Sequence, residues 1–274
     1  VIQGVVELLH ENKINSSDIK MIIHGTTLAT NAVIERKGAK TCFITTEGFR
    51  DVLDIGYESR FDQYDILIEK TMSLVPRKHR YVIEERTDIN GNIIKPINTK
   101  KFHSLVDTIK NEKFESIGIG FLHSYANSKN ENELKDFLLK YLPEVEVSIS
   151  SDVCPEIREY ERFTTTVVNS YIKPLISTYL KKLDTELRKK GFNCPLLLMT
   201  SGGTLTNVLS ACNNPVRLVE SGPAGGAILA TSIAEDLKLD KVISFDMGGT
   251  TAKITIIENQ KAIKAREFEV DRKA

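Results

Sequence analysis

The chain has 274 residues, of which 41% are hydrophobic, and its 37 basic residues balance 37 acidic ones. This composition predicts a globular protein with a substantial core, in one large domain or two small ones. Because the sequence has no basic stripe and no long apolar run, we expect neither nucleic-acid binding nor attachment to a membrane, and we expect a cytoplasmic protein.

Helices and strands alternate along the first half of the sequence, which predicts an α/β fold. Asp88-Ile89-Asn90-Gly91 is typical of a hairpin turn, here between strands at 80–86 and 92–97. Helices are predicted within the first twenty residues and at 28–36, 47–53, 102–109 and 134–142, with strands at 21–24, 41–45, 117–122 and 145–149.

A long helical region follows over 156–190, where apolar residues recur every three or four positions. We expect Pro174 to kink or divide this region. Its charged residues, among them Arg158, Glu159, Glu161 and Arg162, are interpreted as a solvated face or an interface rather than a catalytic carboxylate pair. The remaining predictions are a strand at 196–199, a helix at 227–237 and strands at 242–245 and 254–257.

Four cysteines, Cys42, Cys154, Cys194 and Cys212, stand singly in the sequence, and no histidine lies at zinc-ligand spacing from them. We interpret them as buried thiols rather than as a metal site. A catalytic cysteine with a distant histidine is the alternative, although nothing around these four residues favours one of them.

The turn Asp246-Met247-Gly248-Gly249-Thr250-Thr251 joins the last two predicted strands. Gly248 and Gly249 lack a Cβ, so successive backbone N–H groups can surround an anion, and Thr250 and Thr251 add hydroxyl donors. Asp246 stands at the carboxyl end of its strand, where a carboxylate can orient a Mg²⁺ ion or an attacking water. The alternative is an ordinary tight hairpin, which uses the same residue types.

Three further turns are rich in glycine and hydroxyl residues, and each follows a strand-like run. Gly25-Thr26-Thr27 precedes a helix, where a threonine caps the helix or free N–H groups face an anion. Ser221-Gly222-Pro223-Ala224-Gly225-Gly226 precedes the helix at 227–237, and its glycines allow either close helix packing or close approach of a ligand. Together with Ser201-Gly202-Gly203, these turns are expected at one edge of an α/β sheet, where ligands bind.

Six motifs, taken in order, resemble the family of hydantoinase A, 5-oxoprolinase and acetone carboxylase. The motifs are His-Gly-Thr-Thr-Leu-Ala-Thr-Asn-Ala at 24–32, Thr-Glu-Gly-Phe-Arg-Asp-Val-Leu at 46–53, Leu-His-Ser-Tyr-Ala-Asn at 122–127, Pro-Glu-Ile-Arg-Glu-Tyr-Glu-Arg at 155–162, Ser-Gly-Pro-Ala-Gly-Gly at 221–226 and Asp-Met-Gly-Gly-Thr at 246–250.

This resemblance implies the actin-like ATPase (ribonuclease H-like) fold, with a first lobe built on a mixed sheet flanked by helices and the start of the second lobe. It also implies a hydantoinase/oxoprolinase N-terminal-type α/β domain over 1–190 and the start of a hydantoinase A-type nucleotide-binding domain over 191–274. The family's first phosphate loop and its adenosine-binding segment have no counterpart among the 274 residues. We therefore expect an internal piece of a longer protein.

The function that the resemblance implies is ATP-dependent hydrolysis of a cyclic amide of the hydantoin, oxoproline or lactam type. ATP would phosphorylate the amide oxygen, so that water opens the activated ring. ATP and Mg²⁺ are the implied cofactors, with Asp246 as the catalytic and metal-orienting residue. The residues expected around the nucleotide are the second phosphate loop Gly248, Gly249, Thr250 and Thr251, and the cleft-lining residues Gly25, Thr26, Thr27, Gly222, Gly225 and Gly226.

Two other functions remain open, an ATP-dependent ketone carboxylase subunit and an inactive module for assembly. Many members of the family have Ser-Thr-Asp after the glycine pair, whereas this sequence has Thr250-Thr251-Ala252-Lys253. Lys253 either contacts a phosphate or, as favoured here, lies exposed on its strand. The implied partners are a cyclic amide substrate, a hydantoinase B-type subunit and further copies of the chain.

Overall fold

The computed structural model describes residues 1–57, 64–67, 72–247 and 252–263. The chain divides into two compact units. The first unit comprises Val1–Asn31 together with the described residues from Ile176 onward, and the second comprises the described residues of Ala32–Leu175. No helix within these ranges combines the length and the hydropathy that a bilayer-spanning segment needs. The domain boundary near residue 190 stays a prediction.

Helices and strands alternate through most of the described residues. The α-helices are α1 Ile2–Glu11, α2 Leu28–Ile34, α3 Val52–Ile55, α4 Phe102–Glu112, α5 Lys129–Tyr141, α6 Ser150–Val153, α7 Glu159–Lys189, α8 Val208–Asn213 and α9 Ser221–Asp236. The strands are β1 Ile22–His24, β2 Thr41–Thr46, β3 Arg80–Ile83, β4 Arg86–Thr87, β5 Ile93–Lys95, β6 Ser116–Gly120, β7 Glu146–Ile149, β8 Leu196–Met199, β9 Leu205–Asn207, β10 Lys241–Met247, β11 Ala252–Glu258 and β12 Lys261–Ala262.

A parallel four-stranded sheet with the order β3-β2-β6-β7 forms the core of the second unit. Helices α4 and α5 cover one face, where Ile44 and Ile119 are buried among their apolar side chains. The first part of α7 covers the other face, and its Phe163 packs against Phe43. Because both faces are covered, β2 and β6 are buried along their whole lengths.

The first unit contains two small sheets. β1 pairs in parallel with β8, which pairs antiparallel with β9, whereas β10, β11 and β12 form an antiparallel sheet of their own. Helix α9 contacts β8 as well as the β10-β11-β12 sheet. It therefore links the two sheets and carries its first residues to the turn that follows β1.

The predicted hairpin is only partly correct. Its turn at Asp88–Gly91 connects β4 and β5, which pair antiparallel. Arg80–Ile83 instead pairs in parallel with β2, and the buried Arg80 guanidinium forms an ion pair with Asp54 at 2.7 Å. The helix predicted at 47–53 is also shorter than expected, since α3 begins at Val52.

The predictions for the long helical region are partly wrong. Pro174 does not divide the region, since α7 is continuous over Glu159–Lys189, and a kink at Pro174 stays a prediction. A proline removes one N–H donor, and the many remaining hydrogen bonds and the buried apolar stripe hold the helix on both sides. Arg162 is not on a solvated face but is fully buried, and its guanidinium donates to the carbonyl oxygens of Phe121 at 3.1 Å and Glu156 at 2.8 Å.

Candidate functional site

The predicted phosphate loop is only partly covered by the structure. Gly248, Gly249, Thr250 and Thr251 lie outside the described residues. Asp246 is described, one residue before the end of β10, and it is exposed. The candidate site is therefore built from Asp246 and from the other predicted turns of the first unit.

The turn Gly25-Thr26-Thr27 connects β1 to α2, as predicted. Thr26 forms a local turn just before α2, because its Oγ1 accepts a hydrogen bond from the Leu28 N–H at 3.2 Å. Gly25 and Thr27 are exposed, and a Cβ added at Gly25 would have no described heavy atom within 4 Å. Part of this turn is thus free to face a ligand.

Helix α9 begins six residues earlier than predicted. The preceding 3₁₀ helix Pro215–Leu218 ends before Val219, and Glu220, with a left-handed φ of +64°, directly precedes α9, which starts at Ser221. The expected glycine turn after a strand is therefore wrong: Gly222, Gly225 and Gly226 lie in the first two turns of the helix. Pro223 favours this early start because its fixed φ suits the first helical turn.

Two hydrogen bonds join the start of α9 to the turn after β1 and to helix α2 that follows it. The Glu220 N–H donates to Thr30 Oγ1 at 2.9 Å, and the Ser221 hydroxyl donates to the carbonyl oxygen of Thr26 at 3.2 Å. Ser221 is buried by this contact. Two of the predicted turns, nearly two hundred residues apart in sequence, are therefore neighbours in the first unit.

Asp246 is connected to the start of α9 through Lys253. The two residues are directly opposite each other in the β10–β11 pairing, so both side chains lie on one face of the sheet. Lys253 forms an ion pair with Glu220, and partial burial lowers the pKa of its ammonium group. The prediction of an exposed strand lysine is wrong, because the Lys253 side chain is only 27% exposed.

The site glycines have no evident structural requirement among the described residues. A Cβ at Gly225 or Gly226 would meet no heavy atom within 4 Å, and one at Gly222 would meet only Thr27 Cγ2 at 3.7 Å, an ordinary contact. None of the three has a positive φ. Neither packing against the described residues nor backbone conformation explains these three glycines.

Gly203 is different, since its structural requirement is clear. It has φ +76°, and a Cβ there would lie 3.2 Å from Ile228 Cδ1 of α9. The adjacent Ser201 N–H donates to the carbonyl oxygen of Arg217 at 2.8 Å. The turn Ser201-Gly202-Gly203 therefore includes a glycine that serves the hairpin between β8 and β9.

Sequence reasoning missed Thr30 and Glu220 as members of the site. Their contact links positions 190 residues apart: Thr30 stands within the motif at 24–32 but was not singled out there, and Glu220 directly precedes the motif at 221–226. The sequence signal that could have pointed to this site is Lys253, a basic residue that closely follows the predicted phosphate loop. His24, which begins one of the motifs, is half-buried with its Nε2 2.9 Å from the Tyr179 hydroxyl oxygen. Burial lowers the pKa of His24, which favours the neutral imidazole.

The donor set fits a nucleotide-bound magnesium ion better than a metal caged by protein. Among the described residues, no group of three or more His, Cys, Asp or Glu side chains is placed to hold a metal ion. Mg²⁺ at phosphate sites takes one or two carboxylates and completes its shell with phosphate oxygens and water. The exposed carboxylate of Asp246 can serve as one such ligand.

The cysteines offer no nucleophile at this site. All four are described and form no disulfide bond, and Cys42, Cys194 and Cys212 are buried, as predicted. Burial raises the pKa of both Cys42 and the half-buried Cys154. A raised pKa reduces the thiolate fraction, so these two residues lack the character of reactive cysteines.

Two family models match most of the chain. The model described as hydantoinase/oxoprolinase N-terminal region matches residues 1–142, and the model described as hydantoinase/oxoprolinase matches residues 162–273. Among curated proteins, the uncharacterized protein MJ0964 of Methanocaldococcus jannaschii is 41% identical over 97% of this chain and 40% of its own length. Caprolactamase subunit alpha of Pseudomonas jessenii is 32% identical over 88% of this chain and 35% of its own.

Two solved structures are similar over most of this chain. The ATP-dependent caprolactamase from Pseudomonas jessenii has a TM-score of 0.83 at 30% identity, over 93% of this chain and 38% of that one. The nucleotide-free acetone carboxylase has a TM-score of 0.78 at 25% identity, over 87% of this chain and 35% of that one. These similarities confirm the predicted resemblance and the α/β, actin-like ATPase fold class. The chain spans about two fifths or less of the length of each of these relatives.

Proposed function

The chain belongs to the hydantoinase/oxoprolinase family, and on that premise we propose that it forms part of an ATP-dependent enzyme that opens a cyclic amide. The named activities of its relatives support this proposal. The caprolactamase of Pseudomonas jessenii is ATP-dependent, and 5-oxoprolinases of Arabidopsis thaliana and Saccharomyces cerevisiae are each 29% identical to this chain. Caprolactam and 5-oxoproline are both cyclic amides.

One observation in the first unit supports assigning the proposed function to particular residues. The Ser221 hydroxyl donates to the carbonyl oxygen of Thr26, which joins the start of α9 to the turn after β1. Around this junction a Cβ at Gly25, Gly225 or Gly226 would meet no heavy atom of the described residues within 4 Å. A phosphate group needs backbone N–H donors at close range, and a missing Cβ allows that approach. The junction therefore has the features of a phosphate-binding corner.

The residues of the corner have separate roles in this proposal. Asp246 holds Mg²⁺ or orients water with its exposed carboxylate, and the exposed Thr27 offers its hydroxyl and backbone N–H to a phosphate. Gly248, Gly249, Thr250 and Thr251 complete the phosphate loop. Bound ATP would supply the phosphoryl group that activates the ring amide towards water, and the protein would contribute positioning and charge stabilisation.

Lys253 and Glu220 keep the corner in place. Their ion pair ties β11 to the residue before α9, and the Glu220 N–H is bonded to Thr30 at the same time. Lys253 thus brings positive charge to the strand that leaves the phosphate loop. We assign these two residues a positioning role rather than a catalytic one.

A ketone carboxylase subunit is the second candidate. The similarity to acetone carboxylase favours it, as does the acetophenone carboxylase gamma subunit of Aromatoleum aromaticum, which is 23% identical over 87% of this chain. Either activity would involve a second subunit, since the caprolactamase relative is itself named subunit alpha. A hydantoinase B-type partner and association of several copies belong to the proposal.

The test is ATP turnover by the complete gene product purified with any subunit that accompanies it. We expect ADP to form only with a cyclic amide such as 5-oxoproline, hydantoin or caprolactam, together with the ring-opened product. Asp246→Asn should remove this turnover, whereas Asp107→Asn, at an exposed position of α4, should retain it. ADP formation that requires bicarbonate and a ketone would favour the carboxylase, and no ATP turnover with either substrate class would refute both candidates.

A further inference from the structure

The ion pair of Lys253 with Glu220 lies at the junction where the proposed phosphate corner is built. Lys253 follows the predicted phosphate loop on β11, and Glu220 directly precedes the first residue of α9. Both side chains are mostly buried, with 27% of Lys253 and 20% of Glu220 exposed. Charges that have lost part of their water depend on a partner of opposite sign. An anion that enters this junction therefore meets a cation that is already paired.

Glu220 is held in a backbone conformation that is unfavourable for a residue other than glycine, with φ at +64°. Its N–H donates to Thr30 Oγ1 at 2.9 Å, and its carboxylate is bound to Lys253. Strained backbone of this kind persists where several contacts enforce it, and it is frequent at ligand-binding and switching positions. The contact with Lys253 is among those that hold Glu220 in place.

The Glu220 carboxylate binds Lys253 instead of the backbone of α9. Glu220 occupies the N-cap position, yet within the described part of the chain its side chain makes no capping hydrogen bond to the helix. The first N–H groups of a helix need an acceptor, and a phosphate group can supply it. The start of α9 therefore has donors for a phosphate and, beside them, a carboxylate that would repel a phosphate if Lys253 did not neutralise it.

We propose that Lys253 exchanges its anionic partner when ATP binds, so that its ammonium group leaves the Glu220 carboxylate and contacts a phosphate oxygen. This inference rests on the proposed function and gives Lys253 a second role, as a ligand of the nucleotide. A lysine ammonium is a compact charge on a flexible stem, which suits such an exchange. The triphosphate carries more negative charge than one carboxylate, so it can compete for the cation.

The exchange makes Glu220 a competitor of the nucleotide, and this determines the sign of each substitution. If the two residues only position the corner, removal of either one should weaken ATP binding. If Lys253 contacts a phosphate, its removal should weaken binding, whereas removal of the Glu220 carboxylate frees the cation and should strengthen binding. Opposite signs therefore distinguish the exchange from a positioning role alone.

The experiment is a calorimetric titration with Mg-ATP of the complete gene product, purified with any subunit that accompanies it. Lys253→Met and Glu220→Gln are compared with Lys241→Met and Glu258→Gln. Lys241 and Glu258 are exposed and directly opposite each other on β10 and β11, at the end of the sheet away from the predicted phosphate loop. They are matched controls because they change the net charge in the same way. Circular dichroism verifies the folding of each variant.

We expect Glu220→Gln to bind Mg-ATP at least about fivefold more tightly than the unsubstituted protein. Lys253→Met should bind it at least about tenfold more weakly, because a charge-assisted contact is lost. Both controls should stay within about twofold, as exposed charges contribute little. Equal or weaker binding by Glu220→Gln would overturn the exchange alone. Absence of Mg-ATP binding by the unsubstituted protein would overturn the proposed function, and the exchange with it.

A double variant distinguishes contact with phosphate from simple neutralisation of Glu220. If Lys253 only neutralised that carboxylate, Lys253 would be dispensable once the carboxylate is gone. We expect Lys253→Met to weaken Mg-ATP binding at least about tenfold in the Glu220→Gln background as well, whereas Lys241→Met in that background should not. Equal affinities of Glu220→Gln and of the double variant would overturn the proposal.

A measurement on the unsubstituted protein covers the case in which a variant does not fold. Lysine side chains are modified with a water-soluble amine reagent with and without Mg-ATP, and peptide mass spectrometry gives the rate at each position. With Mg-ATP at about ten times its Kd, modification of Lys253 should slow at least about fivefold, because mainly the nucleotide-free fraction reacts. The rate at Lys241 should not change. An unchanged rate at Lys253 would contradict the proposal.

Discussion

Lys253 forms an ion pair with Glu220, the residue that directly precedes helix α9. This contact joins the strand that leaves the predicted phosphate loop to the start of α9. Since both side chains are largely buried, each charge depends on the other for compensation. We expect Glu220→Gln to lower the free energy of unfolding by about 1–3 kcal/mol, because it leaves the Lys253 ammonium without its anionic partner.

A double-mutant cycle with Lys253→Met measures the coupling directly by urea unfolding. The double variant should be more stable than the sum of the two single effects predicts, by about 0.5–3 kcal/mol. Additive single effects would show that the ion pair does not stabilise the first unit.

Alanine substitutions at two glycines of α9 distinguish a structural role of these residues from a role in ligand binding. Gly225→Ala and Gly226→Ala should leave the free energy of unfolding unchanged or raise it by up to about 1 kcal/mol, because alanine is the better helix former and nothing described is close enough to clash. If a nucleotide phosphate approaches this helix, the same variants should weaken ATP binding by the complete gene product at least about tenfold, measured by calorimetry.

Gly4→Ala is the control for these glycine variants. Gly4 lies within helix α1, and a Cβ added there would also have no described heavy atom within 4 Å. It should gain similar stability without any change in ATP affinity. Unchanged affinity in all three variants would remove the main support for a phosphate site at α9.

Gly120 is required by packing at the end of β6. A Cβ there would lie 2.6 Å from Phe163 Cδ1 and 2.7 Å from Phe43 Cζ, two rings on the buried face covered by α7. We expect Gly120→Ala to lower the free energy of unfolding by about 1–3 kcal/mol, because neither ring can move without disturbing the core. Chemical unfolding of the variant and of Gly4→Ala tests this, and equal stability of the two would contradict the described packing.

The stability of the first unit should depend on pH through His24. Its pKa is lowered by burial, so below the ordinary histidine pKa of about 6.5 the unfolded chain binds a proton that the folded chain does not. The free energy of unfolding should therefore fall as the pH drops below that value. Urea unfolding between neutral and mildly acidic pH measures the slope.

His24→Gln should make this slope smaller, since glutamine does not titrate and can still bond to the Tyr179 hydroxyl. Part of the slope should remain, because burial also lowers the pKa of His79. His10→Gln, at an exposed position of α1, serves as the control. An unchanged slope in His24→Gln would show that His24 is not protonated less readily in the folded chain.

The 274-residue chain alone should bind Mg-ATP weakly or undetectably in a calorimetric titration. It spans 40% or less of the relatives' lengths, and the resemblance places further nucleotide-contacting segments outside it. Nanomolar affinity of the isolated chain would show that the whole site lies within these residues and that its location is assigned wrongly.

Features set by local sequence were predicted well. The hairpin turn at Asp88–Gly91 depends on residues that are adjacent in the chain, and the strand at Leu196–Met199 is a simple apolar run. The start of α9 was placed six residues too late because Gly222, Gly225 and Gly226 were interpreted as a turn, although Pro223 suits the first helical turn. The parallel pairing of Arg80 with Phe43 was missed because a strand pattern does not identify its neighbour.

The residue types of the candidate site were recognised in the sequence, but the arrangement of these residues in space was not. Glycine and threonine turns were recognised, whereas the link through Glu220 and Thr30 joins positions with no common pattern. For Arg162 the residue type was misleading. A charged residue on a helix is usually exposed to solvent, whereas the Arg162 guanidinium is buried and hydrogen-bonded inside the second unit.

The surroundings of Arg162 also limit what the family motifs at 155–162 and 122–127 can report, since the Arg162 guanidinium lies over the ring of Tyr125. Its guanidinium bonds to Phe121 and to Ser150, and the carboxylate of Glu131 accepts hydrogen bonds from the same Ser150 hydroxyl and the Phe121 N–H. Side chains engaged in this way cannot reach a small molecule. Similarity in these motifs therefore indicates a shared fold. Whether the substrate is a lactam or a ketone must be determined by residues elsewhere.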